Sequence, residues 1–354
     1  MSQDIILNGR ATGDVASVLL ANNFDVRALR PFLGPDNVSY ITMNHGDSEI
    51  AVPTGNASAT LRKDQWQMLD TAIVKAAKER LRVVSDFRGA GLQYVLQNGM
   101  AYTVLQTERQ SDINDATISM DGIRQGENDR PLFDLMNLPL PIIHKDFSFS
   151  TRQIATSQNP GGSPLDTTTA ELAARRVAEK AERYMLGLED YTYGGGQVYG
   201  FLNFPQRMTK AMSTPDGTNN ATVLAEVLQM IDQSRASNHY GPFMLYCSPN
   251  WAPWLDADYS IQYPNLSLRQ RLRNIEQVRD VRTVDYLPSD AYTMVLVQMT
   301  SDVVRVVVGM EMMTVQWDSH GGMQKNFKVM TILVPQLRAD YNGNTGIVHG
   351  TASL

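Results

Sequence analysis

The chain has 354 residues, enough for about one to three domains with a sizeable buried core. Its 31 Lys and Arg against 37 Asp and Glu give a net charge of −6, which argues against a domain devoted to gripping a phosphate backbone. The single cysteine, Cys247, excludes an internal disulfide framework, a cysteine zinc cluster and an iron–sulfur site, and fits a reducing cytoplasm.

The chain also lacks the patterns of export and membrane insertion. Its first residues show no secretory signal, and no apolar stretch approaches the roughly 18 residues of a membrane span. We therefore expect a soluble protein with no membrane partner. Charged residues make up 19% of the sequence against a typical share of about 25%, which favours a surface covered by neighbouring molecules.

The first 90 residues divide into an irregular part and a helical part. Residues 1–62 hold short apolar pieces cut by glycine and proline, which predicts an arm with at most one helix and no core of its own. In residues 63–90, Trp66, Leu69 and Ile73 begin a repeat of three or four residues, which predicts one amphipathic helix.

Residues 91–150 are predicted to form a long hairpin. Apolar and polar residues alternate towards the end of this segment, and a turn-rich stretch at 121–131 separates the two arms. This tip is too polar to join a core, so we expect the hairpin to project from its domain. Its charged residues are Asp121, Arg124, Glu127, Asp129 and Arg130.

Residues 166–188 carry the clearest helical pattern in the chain. Small and apolar residues such as Ala173, Val177 and Ala181 form one stripe, and Thr168 with Glu171 predicts a capping box. Two ion pairs are predicted four residues apart, Glu171 with Arg175 and Glu179 with Arg183. The charged residues of this helix that we single out are Glu171, Arg175, Arg176, Glu179 and Arg183.

The remaining chain reads as two mixed regions. Residues 200–300 alternate helical and extended patterns, including a buried strand at 243–247, and predict an α/β subdomain. Residues 301–342 are rich in strands, at 303–308, 312–317 and 327–335. Together with residues 151–199 they predict a second, α+β subdomain built from two separated pieces of chain.

No group of residues passes the test for a catalytic or metal site. Asp318, Ser319 and His320 include the residue types of a hydrolase triad, but adjacent residues point in different directions, so a turn is favoured. Asp256 could act with a nearby acid, although a solvated loop is the simpler interpretation. The five histidines are scattered, and Cys247 follows four apolar residues in a predicted core strand.

One basic cluster has two interpretations. It is either a solvated or intersubunit ion-pair surface, or a patch that faces a packaged polyanion. Its members are Arg269, Arg271, Arg273, Arg279 and Arg282.

The order of these elements resembles the major capsid proteins of tailed phages (Caudoviricetes) with the Hong Kong 97-type fold, and their shell-forming relatives, the encapsulins. Segments 138–152, 173–187, 241–249, 303–315 and 327–338 carry the resemblance. It implies an α+β fold whose parts are an N-terminal arm (1–62), a helix (63–90), an E-loop (91–150), a P-domain (151–199 and 301–342) with a spine helix (166–188), an A-domain (200–300) and a C-terminal tail (343–354).

The resemblance also implies a structural function and no enzymatic one. Pentamers and hexamers would tile an icosahedral virion shell around double-stranded DNA, assembled in the host cytoplasm. Portal, separate scaffolding and possible decoration proteins would be partners, and no small-molecule cofactor is implied. Two alternatives stay open: an encapsulin-type nanocompartment, and a cytoplasmic enzyme with a site near Asp318, Ser319, His320 and Asp256.

The hairpin sequence further predicts how the shell is held together. Some members of the family link subunits through an isopeptide bond between an E-loop lysine and an asparagine. Lys145 is the only lysine in residues 91–150, and it lies at the base of the loop, away from the tip. We therefore expect a shell without covalent links.

Overall fold

The chain forms an α+β structure whose helices and strands divide between two compact units. The computed structural model describes residues 30–36, 38–45, 48–54, 61–97, 99–111, 118, 120, 130, 132–158, 167–260 and 263–353. The first unit comprises Met1–Arg80, Ile142–Glu179 and Glu311–Thr331; the second comprises Leu81–Pro141, Lys180–Met310 and Ile332–Leu354. Each helix in this described part is too short or too polar to span a lipid bilayer.

The described residues form helices and strands in the following order. The helices are α1 Lys63–Arg80, α2 Arg82–Gly89, α3 Thr151–Gln158, α4 Thr168–Leu186, α5 Asn220–Ala236, α6 Ala252–Asp256 and α7 Leu268–Arg273. The strands are β1 Phe32–Leu33, β2 Ser39–His45, β3 Ser48–Pro53, β4 Gln93–Val95, β5 Val104–Gln110, β6 Phe133–Pro139, β7 Ile143–Ser150, β8 Tyr191–Tyr193, β9 Gly196–Val198, β10 Met208–Ala211, β11 Phe243–Cys247, β12 Asp258–Ser260, β13 Tyr263–Ser267, β14 Val278–Thr283, β15 Ala291–Gln298, β16 Val304–Ser319, β17 Gln324–Leu337 and β18 Ile347–Ser353.

An aromatic cluster forms part of the core of the first unit. Strand β7 pairs antiparallel with β17, and its alternation turns Phe147 and Phe149 inward, as the sequence pattern predicts. Phe147 stacks on the fully buried Phe327 with ring centroids 5.3 Å apart. Trp66 of α1 meets Phe327 edge-on at 5.9 Å. Aromatic pairs in these geometries add to the stability gained from burial alone.

The N-terminal region contains strands where the sequence predicts an arm with at most one helix. Strands β1, β2 and β3 form an antiparallel sheet in that order. Ile41 and Val52 lie opposite each other on β2 and β3, and both are buried. Gly34 and Pro35 lie at the turn between β1 and β2, which periodicity did not distinguish from an irregular arm. Residues 1–29 lie outside the described residues.

The second unit is organised around a five-stranded sheet with the order β10-β18-β15-β11-β14. All five residues of β11 are buried, which confirms the buried strand predicted at 243–247. Strand β11 pairs antiparallel with β15 and parallel with β14. Residues of α5 and α7, among them Val227 and Leu272, belong to the same apolar core as β11.

The C-terminal residues differ from the predicted tail at 343–354. Residues Ile347–Ser353 form strand β18, which pairs parallel with β10 and antiparallel with β15. Ile347 and Val348 are fully buried. The sequence pattern does not predict this strand, because polar residues and Gly350 interrupt its apolar residues. The strand is stabilised by backbone hydrogen bonds to a neighbouring strand on each side.

Strand β16 is likewise continuous where the sequence predicts two strands, at 303–308 and 312–317. Its 16 residues include Gly309, which the prediction treated as part of a break. Gly309 lies directly against Gly99, where an added Cβ on Gly99 would be only 2.0 Å from the Gly309 carbonyl oxygen. Glycine here permits close backbone approach instead of ending the strand.

The single helix predicted over 63–90 is two helices. Leu81 separates α1 from α2 and has φ −85° and ψ 68°, outside the helical region. The side chain of Leu81 provides no cap, and the Val83 N–H donates instead to the carboxylate of Glu182 at 2.6 Å. A partner distant in sequence therefore fixes this break, which a local pattern does not encode.

Helix α4 is shorter than the predicted 166–188 because Gly187 ends it. Gly187 has φ +81°, its N–H donates to the Tyr184 carbonyl, and the N–H of Leu188 donates to the Arg183 carbonyl. This is a Schellman motif, whose left-handed residue favours glycine. At the other end, Thr168 is already helical, so the predicted capping box is wrong; the Thr167 hydroxyl bonds to the Glu171 carboxylate instead.

Replacing Gly187 by alanine is expected to lower the free energy of unfolding by about 1 to 3 kcal/mol, from left-handed strain and crowding. The new Cβ would be 2.6 Å from Asn203 Oδ1. Gly89→Ala is the matched control, because an added Cβ there has no neighbour within 4 Å, and it should raise stability by up to about 1 kcal/mol. Denaturant unfolding of the full chain tests both variants, and equal stabilities would contradict the assignment.

Candidate assembly surfaces

A hairpin in the second unit presents apolar side chains to solvent. Strands β5 and β6 pair antiparallel, from Val104 opposite Pro139 to Gln110 opposite Phe133. At the end of the arm towards the predicted tip, Phe133 is 63% exposed and Leu135 is 59% exposed. Both lie on the same face of β6, because they are two residues apart. Contiguous exposed apolar groups of this kind mark surfaces that bind another molecule.

The tip itself is described only in part. Asp121, Arg124, Glu127 and Asp129 lie outside the described residues. Arg130 is described and exposed. Leu132, directly before β6, is also 60% exposed. The sequence pattern did not single out Leu132, Phe133 and Leu135, because alternation indicates that a strand has two faces but not which face is covered.

The hairpin makes polar contacts within the second unit both near its far end, beside Phe133, and closer to its base. Arg109 Nη2 lies 2.8 Å from Asp134 Oδ2 across the two strands, and Arg109 Nη1 donates to the Asp340 carbonyl at 3.3 Å. Asn137 Nδ2 donates to the Gly194 carbonyl at 3.1 Å. An open cavity of about 330 Å³ lies beside these strands, with mixed polar and apolar walls. The Arg109 contacts tie the far end of the hairpin to its own subunit, while Phe133 and Leu135 beside them stay exposed.

The charged residues of α4 pair differently from the sequence prediction. Arg175 and Arg176 both bind Glu179, each at 2.9 Å, so the predicted Glu171–Arg175 pair is replaced. In the second unit, Arg183 lies 3.3 Å from Glu189 instead of pairing with Glu179. Arg175 and Arg176 both precede Glu179, and pairing in this direction is possible because residues three and four apart on a helix are neighbours on either side.

Helix α4 also carries a buried acid that the sequence analysis did not select. Glu182 is fully buried; its Oε1 accepts a hydrogen bond from the Val83 N–H at 2.6 Å, and its Oε2 has no partner among the described residues. Burial raises the pKa of the Glu182 carboxyl to about 7, because the N–H groups of Val83 and Val84 restore only part of the lost hydration. Its position between Ala178 and Met185, three or four residues from each, could have revealed it, since both lie on the buried stripe.

A second acid anchors the other half of helix α2. Asp86 Oδ1 lies 2.5 Å from Arg282 Nη1 on β14, and Asp86 Oδ2 accepts a hydrogen bond from the Tyr246 hydroxyl on β11 at 3.3 Å. Burial raises the pKa of Asp86 despite the opposing effect of Arg282. Beside it, Phe201 stacks on Tyr246 at 6.1 Å. Helix α2 is therefore fixed by one carboxylate near each end.

The basic cluster of the sequence analysis is largely neutralised within the chain. Three of its members form ion pairs with aspartates: Arg269 with Asp256 at 2.7 Å, Arg273 with Asp280 at 2.7 Å and Arg282 with Asp86 at 2.5 Å. In the described part of the chain, Arg271 and Arg279 have no ion pair. The net positive charge of this surface is smaller than five adjacent arginines indicate, and Asp256 serves as a counter-ion.

Asp318, Ser319 and His320 are close together without forming a triad. Asp318 Oδ2 lies 2.6 Å from the buried Lys325 Nζ, so this carboxylate faces an ammonium group and not the imidazole. Ser319 Oγ lies 3.1 Å from His320 Nδ1, and Asn326 donates to the same hydroxyl at 2.7 Å. His320 begins a short 3₁₀ turn at φ 53°. The geometry is that of a polar turn joining β16 to β17.

Cys247 is the last residue of the buried strand β11. Burial raises the pKa of its thiol to about 12, which keeps the sulfur protonated and unreactive at neutral pH. This agrees with the core position predicted for it. Among the described residues, no group of three or more His, Cys, Asp and Glu side chains could hold a metal ion.

The whole structure resembles solved shell structures at low sequence identity. A virus-like particle from Pyrococcus furiosus matches with a TM-score of 0.56 and 15% identity over 80% of this chain and 98% of that chain. The capsid of Myoviridae phage XM1 matches with a TM-score of 0.58 and 11% identity over 76% and 92%. The capsid of a native GTA particle matches with a TM-score of 0.54 and 11% identity over 77% and 92%.

These likenesses, together with the elements described above, establish that the chain has the Hong Kong 97-type capsid fold that its sequence resembles. No protein of curated function matches the sequence. A model of a protein family of unknown function (DUF6260) matches residues 56–350. Because this match spans most of the 354 residues, the chain belongs to the DUF6260 family.

Proposed function

We propose that this protein is the major capsid protein of a tailed phage. In this proposal, pentamers and hexamers of the chain tile an icosahedral shell around double-stranded DNA. The capsid fold supports the proposal, and the observation that carries it is the exposed apolar end of the β5–β6 hairpin. A solvated monomer would leave Phe133 and Leu135 in water. Burying each of these side chains against another subunit would stabilise the assembly by about 1.5 to 3 kcal/mol.

A neighbouring subunit is the partner that this hairpin fits best. Identical subunits in a closed shell repeat the same contact many times, so one modest apolar surface can stabilise a large assembly. Arg109 and Asn137 hold the strands of the hairpin in place within the subunit, through contacts with Asp134, Asp340 and Gly194. We therefore assign the role of E-loop to this hairpin, with the tip residues 121–131 contacting a neighbouring subunit through both signs of charge.

The charge pattern is compatible with a DNA container. A net charge of −6 avoids a wall that binds DNA tightly everywhere and would oppose packaging and release. Arg271 and Arg279 are the members of the basic cluster we propose for contact with DNA or a neighbouring subunit. The other members, Arg269, Arg273 and Arg282, have aspartate partners in the same chain. Portal, separate scaffolding and decoration proteins are the further partners we propose for such a shell.

A protein nanocompartment of the encapsulin type is the second candidate. The observation in its favour is the likeness to the Pyrococcus furiosus virus-like particle, 98% of whose chain is covered. The two candidates differ in what the particle encloses: nucleic acid in a virion, or protein cargo in a nanocompartment. Both make the chain a structural protein and neither requires an enzymatic site.

Purified protein, expressed alone, is expected to form closed polyhedral particles, tubes, or pentamer and hexamer rings. Negative-stain electron microscopy and light scattering measure this directly. Particles from infected or lysogenic cells should retain nuclease-protected DNA if the phage proposal is correct; particles with protein cargo and no nucleic acid would favour the nanocompartment. A stable monomer at high concentration would contradict both.

The double variant Phe133→Ser/Leu135→Ser should fold normally and assemble poorly. Losing two apolar contacts of about 1.5 to 3 kcal/mol each should raise the concentration needed for assembly at least tenfold. Leu228→Ser is the control, because Leu228 is an exposed apolar residue of α5, at 42%, away from the hairpin. Circular dichroism checks folding and light scattering checks assembly. Unchanged assembly of the double variant would refute the hairpin's role.

The shell should also lack covalent links between subunits. Lys145 lies on β7, paired with Val329, and not on the hairpin arms. Denaturing gels of boiled particles are therefore expected to show a single band near the monomer mass. A ladder of dimers and larger species would show that a lysine elsewhere forms such links.

A further inference from the structure

We propose that Glu182 is a proton-controlled latch, which holds the start of helix α2 against the adjoining end of helix α4 when neutral and releases it when ionised. All groups involved belong to the second unit. The latch would operate within a single subunit and does not depend on assembly.

The geometry leaves the ionised carboxylate incompletely satisfied. Glu182 is 0% exposed, Oε1 accepts from the Val83 N–H, and Oε2 has no hydrogen-bond partner among the described residues. A buried carboxylate oxygen without a donor costs several times more free energy when charged than when neutral. Opening the contact would let water reach both oxygens, so ionisation favours the open arrangement.

The charged groups around Glu182 do not compensate its charge. Arg82 and Asp86 face it from α2, and Tyr246 faces it from β11. Arg82 is half-exposed and lies 3.5 Å from Asp285, so its guanidinium already has an acidic partner. Arg282 on β14 is held by Asp86 and Asp280, as described for the basic cluster. Asp86 adds a like charge, which opposes ionisation of Glu182 further.

Within α4 itself, the nearby cations are also engaged. Lys180 Nζ lies 2.7 Å from Glu189, and Arg183 Nε lies 3.3 Å from the same carboxylate. Among the described groups, the ionised Glu182 carboxylate is thus favoured by the N–H groups and helix dipole at the N-terminus of α2 and, least, by the Arg82 guanidinium. The pKa of the Glu182 carboxyl, raised to about 7 by burial, places the change of state near physiological pH.

Release of α2 would reach strands β4 and β16 through the backbone. The Leu92 N–H donates to the Phe87 carbonyl at 2.9 Å, and the Val306 N–H donates to the Leu92 carbonyl at 2.9 Å. Leu92 directly precedes β4, which pairs parallel with β16. Helix α2 has only eight residues, which is too short to persist without tertiary contacts.

The sign of the effect follows from the direction of the pKa shift. The folded pKa, about 7, lies above the ordinary value of 4.5, so the closed state holds a proton that the open state releases. The stability of the closed contact is therefore complete below pH 4.5 and falls as pH rises towards 7. Above that range Glu182 is ionised in both states and no further change is expected.

Hydrogen exchange of the full-length protein tests the latch. The amides of residues 82–89, corrected for the intrinsic effect of pH on exchange, should lose protection by on the order of tenfold or more between pH 5 and pH 7.5, since one pKa unit corresponds to a factor of ten. Protection of β11 should not change. In Glu182→Gln the dependence on pH should disappear, because glutamine keeps an acceptor for Val83 and does not titrate.

Two further variants keep the test decisive. Glu171→Gln removes an exposed acid from the same helix and should leave the pH dependence intact. Asp86→Asn removes the other acid anchoring α2; the pH dependence should remain, with its midpoint at lower pH because a like charge is gone, which excludes Asp86 as its source even if Glu182→Gln fails to fold. The proposal would be overturned if protection in the unmodified protein did not depend on pH, or if the pH dependence disappeared in Asp86→Asn. The measurement does not require shells to form, so its failure is distinct from failure of the capsid proposal.

Discussion

The hydrogen bond from the Val83 N–H to the buried Glu182 carboxylate is the contact on which the arrangement around the hairpin depends. Helix α2 is short and has no side-chain cap of its own, so its first turn is satisfied by a residue about one hundred positions away. The same helix is fixed by Asp86 to two strands of the five-stranded sheet. From α2 the chain continues through β4 to β5 of the hairpin, so these two carboxylates hold an element that precedes the hairpin in the chain.

Ion pairs within the chain explain why a cluster of arginines in the sequence gives a surface of only modest positive charge in the structure. Five arginines between positions 269 and 282 look like one basic patch when they are read along the chain. Aspartates from other elements neutralise three of them. The two partly exposed pairs, Arg269–Asp256 and Arg273–Asp280, add little stability, but all three pairs restrict which arginines remain available for a polyanion. The proposed contact with DNA therefore narrows to Arg271 and Arg279.

The hairpin shows the opposite relation between sequence and surface. Its tip reads as polar, yet its arm exposes Leu132, Phe133 and Leu135. A folded monomer gains nothing from these exposed side chains, whereas a contact with another subunit would remove them from water. Polar contacts of Arg109 and Asn137 along the arms hold the hairpin in position, and in our proposal the exposed apolar side chains beside them supply the energy of contact. This division of roles is why we consider the hairpin, and not the arginine cluster, the main determinant of assembly.

The sequence by itself determined the elements whose signal is local. The helical repeat of α4, the alternation of Phe147 and Phe149 on β7 and the apolar run of β11 each predicted the observed element, and the order of elements identified the fold. Tertiary structure decided what depends on partners distant in sequence: the break at Leu81, the strand β18, the ion pairs of the arginines and the buried state of Glu182. Periodicity reports which residues share a face, but hydrogen bonds and ion pairs between separate elements form only after the chain has folded, so no local pattern encodes them.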